Sequence, residues 1–554
     1  MKQPSIYFCT ILLIPLFFTG CKHSQSENEN AGYFFTVCLD EPGELIWNVA
    51  DNVNIWYYSP VWHETAENEP DDYFRTHLPF VKYVQLMTSA GGNLQRDLFK
   101  NPSDRLVTDD YDFEPLIRAC RNIVQKGLTP HLKLGNVPLK YSNNPVLGKD
   151  FDVNLLPPYD YNMWHAYIIA MISSLADTFG VETVKGWRFG AITEYENCEW
   201  FSVNKDPVKT RDAYFKLYDY TVDAVQQVLG EDICFGAHSM TVFEGLWDER
   251  ELIAHCAHGK NLCTEKTGTQ LSFLATSYYD GRPGKYKGNL ARCINHLRDA
   301  AKKEGLNNLF YGVDEGRILT GFDGKPLVPR DVGYTWQAAS DAKMYRLMLD
   351  NDIDYFSYWA YTSRGLFGGI PSVSAQTTGL FCRMIGAARL PVETIFTNDE
   401  KWEDTGIVAA LDKAGEKLYL FFYAYTDSVF HSNKRDIICE IPGFRKGTYS
   451  VKSMRTLISD ESNFFDEWTE DWKTMGMTAD DFEWSSDSYQ IYPLTVKDSV
   501  YVKAFYDKEE YYRSLAQLKP VMEKLKVKNG NLRLHATIPD HGVLLYEIPF
   551  HGEL

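Results

Sequence analysis

The chain has no basic run, no evident disulfide framework and, beyond its first twenty residues, no apolar stretch long enough to span a bilayer. Each absence removes a class of function. A formal charge of −19 with no basic cluster argues against nucleic acid as a partner. Of eleven cysteines, Cys9 falls in the N-terminal apolar run and Cys21 follows it, leaving nine, an odd number without the spacing of a stapled domain. His255-Cys256-Ala257-His258 with Cys263 matches no standard zinc spacing and reads as packing, so neither a metal nor a cofactor is expected. There is no Gly-x-Ser-x-Gly elbow, no His-Glu-x-x-His pair and no P-loop, which argues against an acyl or phosphoryl hydrolase.

What is present begins with a targeting signal. Lys2, the apolar run Ile6 to Phe18 and then Thr19-Gly20-Cys21 read as a bacterial lipoprotein signal over 1–20, cleaved before a lipidated Cys21. The alternative, an uncleaved anchor, needs roughly 20 apolar residues, and the run is shorter. Removing Lys2 with the signal takes the formal charge from −19 to −20. Residues 21–32 form a polar tether, and Glu27 and Glu29 lean towards display on the outer membrane or cell surface.

From about residue 50 to residue 395, β-branched and aromatic segments alternate with amphipathic ones, the pattern of repeated βα units. The clearest helix runs from Asp112 to Gln125, with Pro115 in its first turn and Leu116, Ala119, Cys120, Ile123 and Val124 on one stripe. Strands are expected at Val53–Tyr58, Val81–Met87, Thr129–Leu134, Gly186–Ile192, Ile233–Ala237, Phe273–Tyr278, Leu309–Val313 and Tyr355–Trp359. Eight such strands predict a closed (β/α)₈ barrel over 50–395. An open doubly wound sheet would need a glycine-rich phosphate loop, and Ala90-Gly-Gly-Asn93 is a poor one. From 396 to 554 short alternating strands predict a β-sandwich, which the segment 33–49, with its strand Tyr33 to Leu39, can join.

Two of the expected strands run apolar and stop on a glutamate: Trp187-Arg-Phe-Gly-Ala-Ile-Thr-Glu194 and Leu309-Phe-Tyr-Gly-Val-Asp-Glu315. The C-terminal ends of barrel strands share one face, so both carboxylates can meet across one pocket. Glycoside hydrolysis needs such a pair, one acid to protonate the leaving oxygen and one carboxylate to attack or to activate water.

These two segments resemble the acid/base and nucleophile strands of glycoside hydrolase family 39, the barrel-plus-sandwich group of β-xylosidases and α-L-iduronidases. Tyr111-Asp-Phe-Glu-Pro115 through Leu128-Thr-Pro-His-Leu-Lys-Leu-Gly-Asn-Val-Pro138 is similar to that family's second helix and third strand. Phe356-Ser-Tyr-Trp359 looks like its eighth strand. Ser462-Asn463 with Trp468 or Trp472, and Ile538-Pro-Asp-His-Gly-Val-Leu-Leu-Tyr546, are similar to landmarks of its sandwich. The resemblance implies a retaining mechanism with Glu194 as acid/base and Glu315 as nucleophile. Their carboxyl groups are then expected roughly 5 to 5.5 Å apart, with Glu194 titrating above Glu315.

Thr193, Tyr279, Trp359, His131, Asn136, Trp62 and His63 follow with less weight as candidate substrate-binding residues. The resemblance gives Tyr279 as a hydrogen-bond partner of Glu315, and Thr193 in the place of an Asn. Trp359 is a candidate floor for a sugar ring, or a core residue. His131 and Lys133 share a face of their strand. Asn136 and His238 lie nearer the active face, and Trp62 and His63 follow the first strand. Gln85, Met87, Ser277 and Gly316 replace residues that the family uses to grip the sugar. Two functions follow: an exo-acting glycosidase on xylose- or arabinose-containing oligosaccharides or polysaccharides, or a non-catalytic glycan-binding lipoprotein on the same scaffold. In both, the lipid anchor is the only membrane contact.

Overall fold

A computed structural model describes residues 32–55, 79–149, 151–240, 244–279, 289–316, 336–358, 370–371, 373–396, 403–426, 433–456, 463–476 and 499–550. Eight parallel strands close into a barrel: β2 (Asn52–Ile55), β3 (Tyr83–Leu86), β4 (Thr129–Lys133), β5 (Arg188–Gly190), β6 (Cys234–Ser239), β7 (Phe273–Tyr278), β8 (Phe310–Gly316) and β9 (Tyr355–Tyr358). Closure is made by β2 pairing with β9, where Asn52 faces Ser357. The expected fold class, a (β/α)₈ barrel with a sandwich, is the one observed.

Local chemistry explains the connecting helices. The helix Tyr161–Phe179 starts where Asp160 accepts a hydrogen bond from the Asn162 N–H, and Pro207–Leu229 starts where Asp206 accepts from the Lys209 N–H. The helix expected from Asp112 begins at Glu114, whose N–H bonds the Asp112 carboxylate at 3.2 Å.

The barrel interior is filled by a few large side chains seated against glycines. A Cβ on Gly236 would lie 2.3 Å from the Phe273 ring, and one on Gly312 would lie 2.1 Å from the Tyr355 ring. On Gly190 it would lie 3.0 Å from the Lys133 stem. Glycine at these strand positions therefore makes room for the neighbouring strand's ring or chain.

Two sheets form the sandwich. One has the order β11 (Val392–Phe396), β1 (Tyr33–Val37), β14 (Lys434–Pro442), β17 (Asn531–Pro539). The other runs β10 (Ala388–Leu390), β12 (Glu403–Leu411), β13 (Lys417–Thr426), β18 (Val543–Pro549), β15 (Thr448–Thr456), β16 (Val521–Lys526). The early strand β1 lies between β11 and β14, parallel to the latter. The sandwich begins before residue 396, because β10 and β11 already belong to its sheets. Pro391 between them has no N–H to donate, and the chain passes from one sheet to the other there.

In β13, Leu418, Leu420, Phe422 and Ala424 face the sandwich core while Tyr419, Phe421, Tyr423 and Tyr425 face the barrel helices. A strand buried on both faces reads as one apolar run. Three helices, Phe465–Thr474, Ser499–Asp507 and Glu509–Leu515, interrupt a region expected to be all strand. Phe464 and Trp468 recur at a spacing of four and pack on Phe505 and Tyr512, a helical period within the β pattern.

Candidate active site

Glu194 does not end a strand. Ladder pairing of β5 stops at Gly190, and the chain turns through residues 191–196, with Glu194 in the left-handed region at φ 45°. That conformation is uncommon for a residue with a side chain, and such strain gathers at functional sites. The turn is pinned by Tyr195 N–H to the His238 carbonyl at 3.1 Å and by Asn197 N–H to the Glu194 carbonyl at 2.7 Å. Glu196 anchors the next loop, accepting from Ser239 Oγ at 2.6 Å and from Met240 N–H at 2.7 Å.

Glu315 lies on β8, which continues past Val313 to Gly316. The pairing of β7 with β8 shifts register between Thr276 and Ser277, which sets Ser277 opposite Glu315. Such an irregularity re-aims side chains at the rim of a barrel.

The two carboxylates converge. One oxygen of Glu194, one of Glu315 and a ring nitrogen of His238 lie within 4.8 Å of one another, all on buried side chains. Ser277 Oγ donates to Glu194 Oε1 at 2.5 Å, and Asn197 Nδ2 donates to Oε2 at 2.6 Å. The Tyr279 hydroxyl donates to Glu315 Oε1.

Beneath them lies a buried charged layer. Lys133 pairs with Asp314 Oδ2, and the Tyr355 hydroxyl donates to Asp314 Oδ1 at 2.5 Å. Asn54 and Gln85 both donate to the Asp314 carbonyl at 3.1 Å. Burial alone would raise the Asp314 pKa, but Lys133, His131 and His238 outweigh it and hold the carboxyl well below the usual range. The same burial lowers Lys133, against the pull of Asp314.

The remaining candidates take other places. His131 is fully buried with its ring against Phe273 at 5.5 Å and Tyr355 at 6.5 Å, part of the barrel filling. Asn136 spends its amide on the Trp200 carbonyl at 2.7 Å, holding loops together. Thr193 Oγ1 stands 3.4 Å from the Met87 carbonyl. Ala90-Gly-Gly-Asn93 is a packing device: a Cβ on Gly91 would lie 2.5 Å from Asp97 Oδ1, and one on Gly92 would lie 2.9 Å from Asn136 Cβ. Trp62, His63, Trp359 and Cys21 lie outside the described residues. Sequence reasoning did not single out Asn197 or Asp314 and treated Ser277 only as a departure; nothing in their local sequence marks them.

Donor sets that could hold a metal ion are Glu194-His238-Glu315, His165-Asp223-Cys263 and Asp248-Glu249-His296. The sequence cluster around His255 divides instead. His255 Nε2 bonds Asp219 at 3.0 Å, while Cys263 Sγ bonds Asp223 at 3.6 Å. Cys120, Cys198, Cys234, Cys256, Cys263, Cys382 and Cys439 are free thiols. No helix of the described residues is long and apolar enough to cross a membrane.

Comparison with known proteins follows the same lines. A family model described as glycosyl hydrolases family 39 matches residues 93–310, a span that includes Glu194 and stops short of Glu315. A β-xylosidase of Geobacillus stearothermophilus is 29% identical over 134 residues, 23% of this chain and 25% of that protein. A β-xylosidase of Caldicellulosiruptor saccharolyticus is 23% identical over 271 residues, 48% of this chain and 51% of that protein. The chain thus spans about a quarter and about half of these curated relatives. A monomeric β-xylosidase from Caulobacter crescentus CB15 superposes with a TM-score of 0.62 at 15% identity, covering 93% of this chain and 99% of that one, a likeness of fold. The middle of this chain is thus similar to glycosyl hydrolases family 39 and to β-xylosidases in sequence, and the whole chain shares the fold of the Caulobacter enzyme.

Proposed function

We propose that the chain is a retaining glycosidase, anchored by a lipid on Cys21 to the outer membrane or cell surface, which removes xylose, arabinose or a related sugar from the end of a glycan. The observation that carries the reading is the approach of Glu194 and Glu315 to within 4.8 Å in one buried cluster, each held by its own donors. An inverting pair needs a wider gap, roughly 6.5 to 9.5 Å, to admit water between carboxyl and sugar.

In this reading Glu315, ionised and steadied by the Tyr279 hydroxyl, attacks the anomeric carbon as Glu194 passes its proton to the leaving oxygen. A covalent glycosyl ester on Glu315 results. Glu194, now a carboxylate, takes a proton from water, whose oxygen attacks the same carbon and releases Glu315. The charged layer below, with Asp314 next to Glu315 in sequence, fixes the strand that carries the nucleophile.

The alternative, binding without chemistry, drew on the altered residues Gln85, Met87, Thr193 and Ser277. Two of these have acquired roles around the carboxylates: Ser277 bonds Glu194, and Gln85 bonds the Asp314 backbone. Both substitutions support a rebuilt site more than an abandoned one. The test is turnover of aryl glycosides and plant oligosaccharides by the wild type, Glu194→Gln and Glu315→Gln. Loss in both variants supports catalysis by this pair, and equal turnover by all three proteins removes it.

A further inference from the structure

Ser277 is the middle of a short hydrogen-bond chain behind Glu194. Its Oγ stands 2.5 Å from Glu194 Oε1 and 2.9 Å from His238 Nε2. The three side chains come from the turn after β5, from β6 and from β7, neighbouring strands at the barrel mouth. Ser277 and His238 are fully buried, so neither hydroxyl nor ring borrows a partner from bulk solvent.

A serine hydroxyl has one proton to give. An ionised Glu194 only accepts, so Ser277 gives its proton to Glu194 and must itself be supplied by His238 through Nε2–H. The imidazole is neutral over the working range. Burial lowers its pKa to about 3, with Lys133 adding to that lowering and Asp314 opposing it. The charged and titratable groups around it are Asp314, Lys133, His131, Glu194 and Glu315. A neutral ring carries one N–H, and the chain of bonds requires it on Nε2.

We propose that His238 is a positioning residue which, through Ser277, lowers the pH at which Glu194 gives up its proton. The proposal rests on the reading of Glu194 as acid/base. Burial and the nearby charge of Glu315 favour the protonated carboxyl, while a hydrogen bond donated to the carboxylate favours the ionised one. The acid step needs the first form and the base step needs the second. Ser277 and His238 supply part of the counterweight, beside Asn197 on the other oxygen. No proton passes along the chain: Ser277 and His238 keep theirs, and Glu194 alone exchanges a proton with the leaving oxygen and then with water. A histidine one strand away thus acts on Glu194 through the hydroxyl of Ser277.

The experiment is the pH profile of kcat/KM, whose alkaline limb reports the essential acid of the free enzyme. Ser277→Ala and His238→Leu remove the donor or its support, and the limb is expected to rise by about 1 pH unit, the worth of one hydrogen bond to a charged group. Ser277→Thr and His238→Gln keep a hydroxyl and an N–H at the Nε2 position, and the limb is expected to stay at its wild-type place. An unmoved limb in Ser277→Ala, or the same shift in His238→Gln as in His238→Leu, would overturn the proposal. Failure of the underlying reading looks different: Glu194→Gln would turn over as fast as the wild type. Should the variants be too slow for kinetics, carbon-13 titration of the Glu194 carboxyl, assigned with Glu194→Gln, reads the same quantity. An equal midpoint in wild type and Ser277→Ala would then overturn the proposal.

Discussion

Lys133 and Asp314 form an ion pair inside the barrel with neither side chain exposed to solvent, one residue before Glu315 in the chain. Removing one member leaves the other charge buried alone, so Asp314→Asn or Lys133→Met is expected to cost about 3 to 5 kcal/mol of stability. The Asp314 pKa is depressed in the folded protein, so its contribution is present above the ordinary carboxylate range and is lost only as pH falls through the depressed value. Removing Asp314 leaves burial to lower Lys133 further, so chemical denaturation of Asp314→Asn and wild type is expected to show a deficit at pH 6 that is no smaller than the one at pH 8.

The glycines that seat the barrel rings give a paired test. Gly312→Ala places a methyl 2.1 Å from the Tyr355 ring and so displaces the donor to Asp314. A loss of at least about 1 to 3 kcal/mol is expected. Gly379→Ala, in the helix Val373–Cys382 with nothing within 4 Å of the new Cβ, is expected to stabilise by about 0.5 to 1 kcal/mol. Thermal unfolding of both variants checks the contrast.

Much of this architecture is legible in the sequence, and the exceptions have physical reasons. Strand runs such as Phe273–Tyr278 and the helix after Asp112 are set by local pattern, and local pattern is what a sequence displays. Glu194 and Glu315 stand out because each follows an apolar run. Their partners do not: Ser277 meets Glu194 only through a register shift between β7 and β8, and Lys133 meets Asp314 across the barrel from 181 residues away. Asp314 lies one residue beyond the expected strand Leu309–Val313, whereas the observed strand continues to Gly316 and takes Asp314 inside. Alternation puts His131 and Lys133 on one face of their strand, but depth within the barrel is invisible to a period of two. The helices after Asn463 were missed because two turns of helical spacing sit between long alternating strands.

Asp97 gives a pH prediction. Its carboxylate accepts the Gly92 and Leu139 N–H groups, each at 2.8 Å, tying the loops after β3 and β4. Burial pushes its pKa up to about 7, although those two donors, Lys140 and Arg96 pull the other way. A raised folded pKa means stability that is present below the unfolded value near 4 and is lost as pH rises through 7, on the order of 4 kcal/mol in all. Asp97→Asn has no such term. The melting-temperature gap by which the variant trails the wild type is expected to be larger at pH 5 than at pH 8, and a gap that widens with pH would contradict this.

The most direct test of the site is chemical. A 2-deoxy-2-fluoro glycosyl fluoride slows both steps of a retaining glycosidase, and with a good leaving group the covalent ester accumulates. The protein should be incubated with a panel of such sugars, xylosyl and arabinosyl among them, then digested and mapped by mass spectrometry. A glycosyl adduct on Glu315, absent from Glu315→Gln, is the expected result. An adduct on another residue, or turnover of the parent aryl glycoside with inversion at the anomeric carbon, would contradict the assignment of Glu315 as nucleophile.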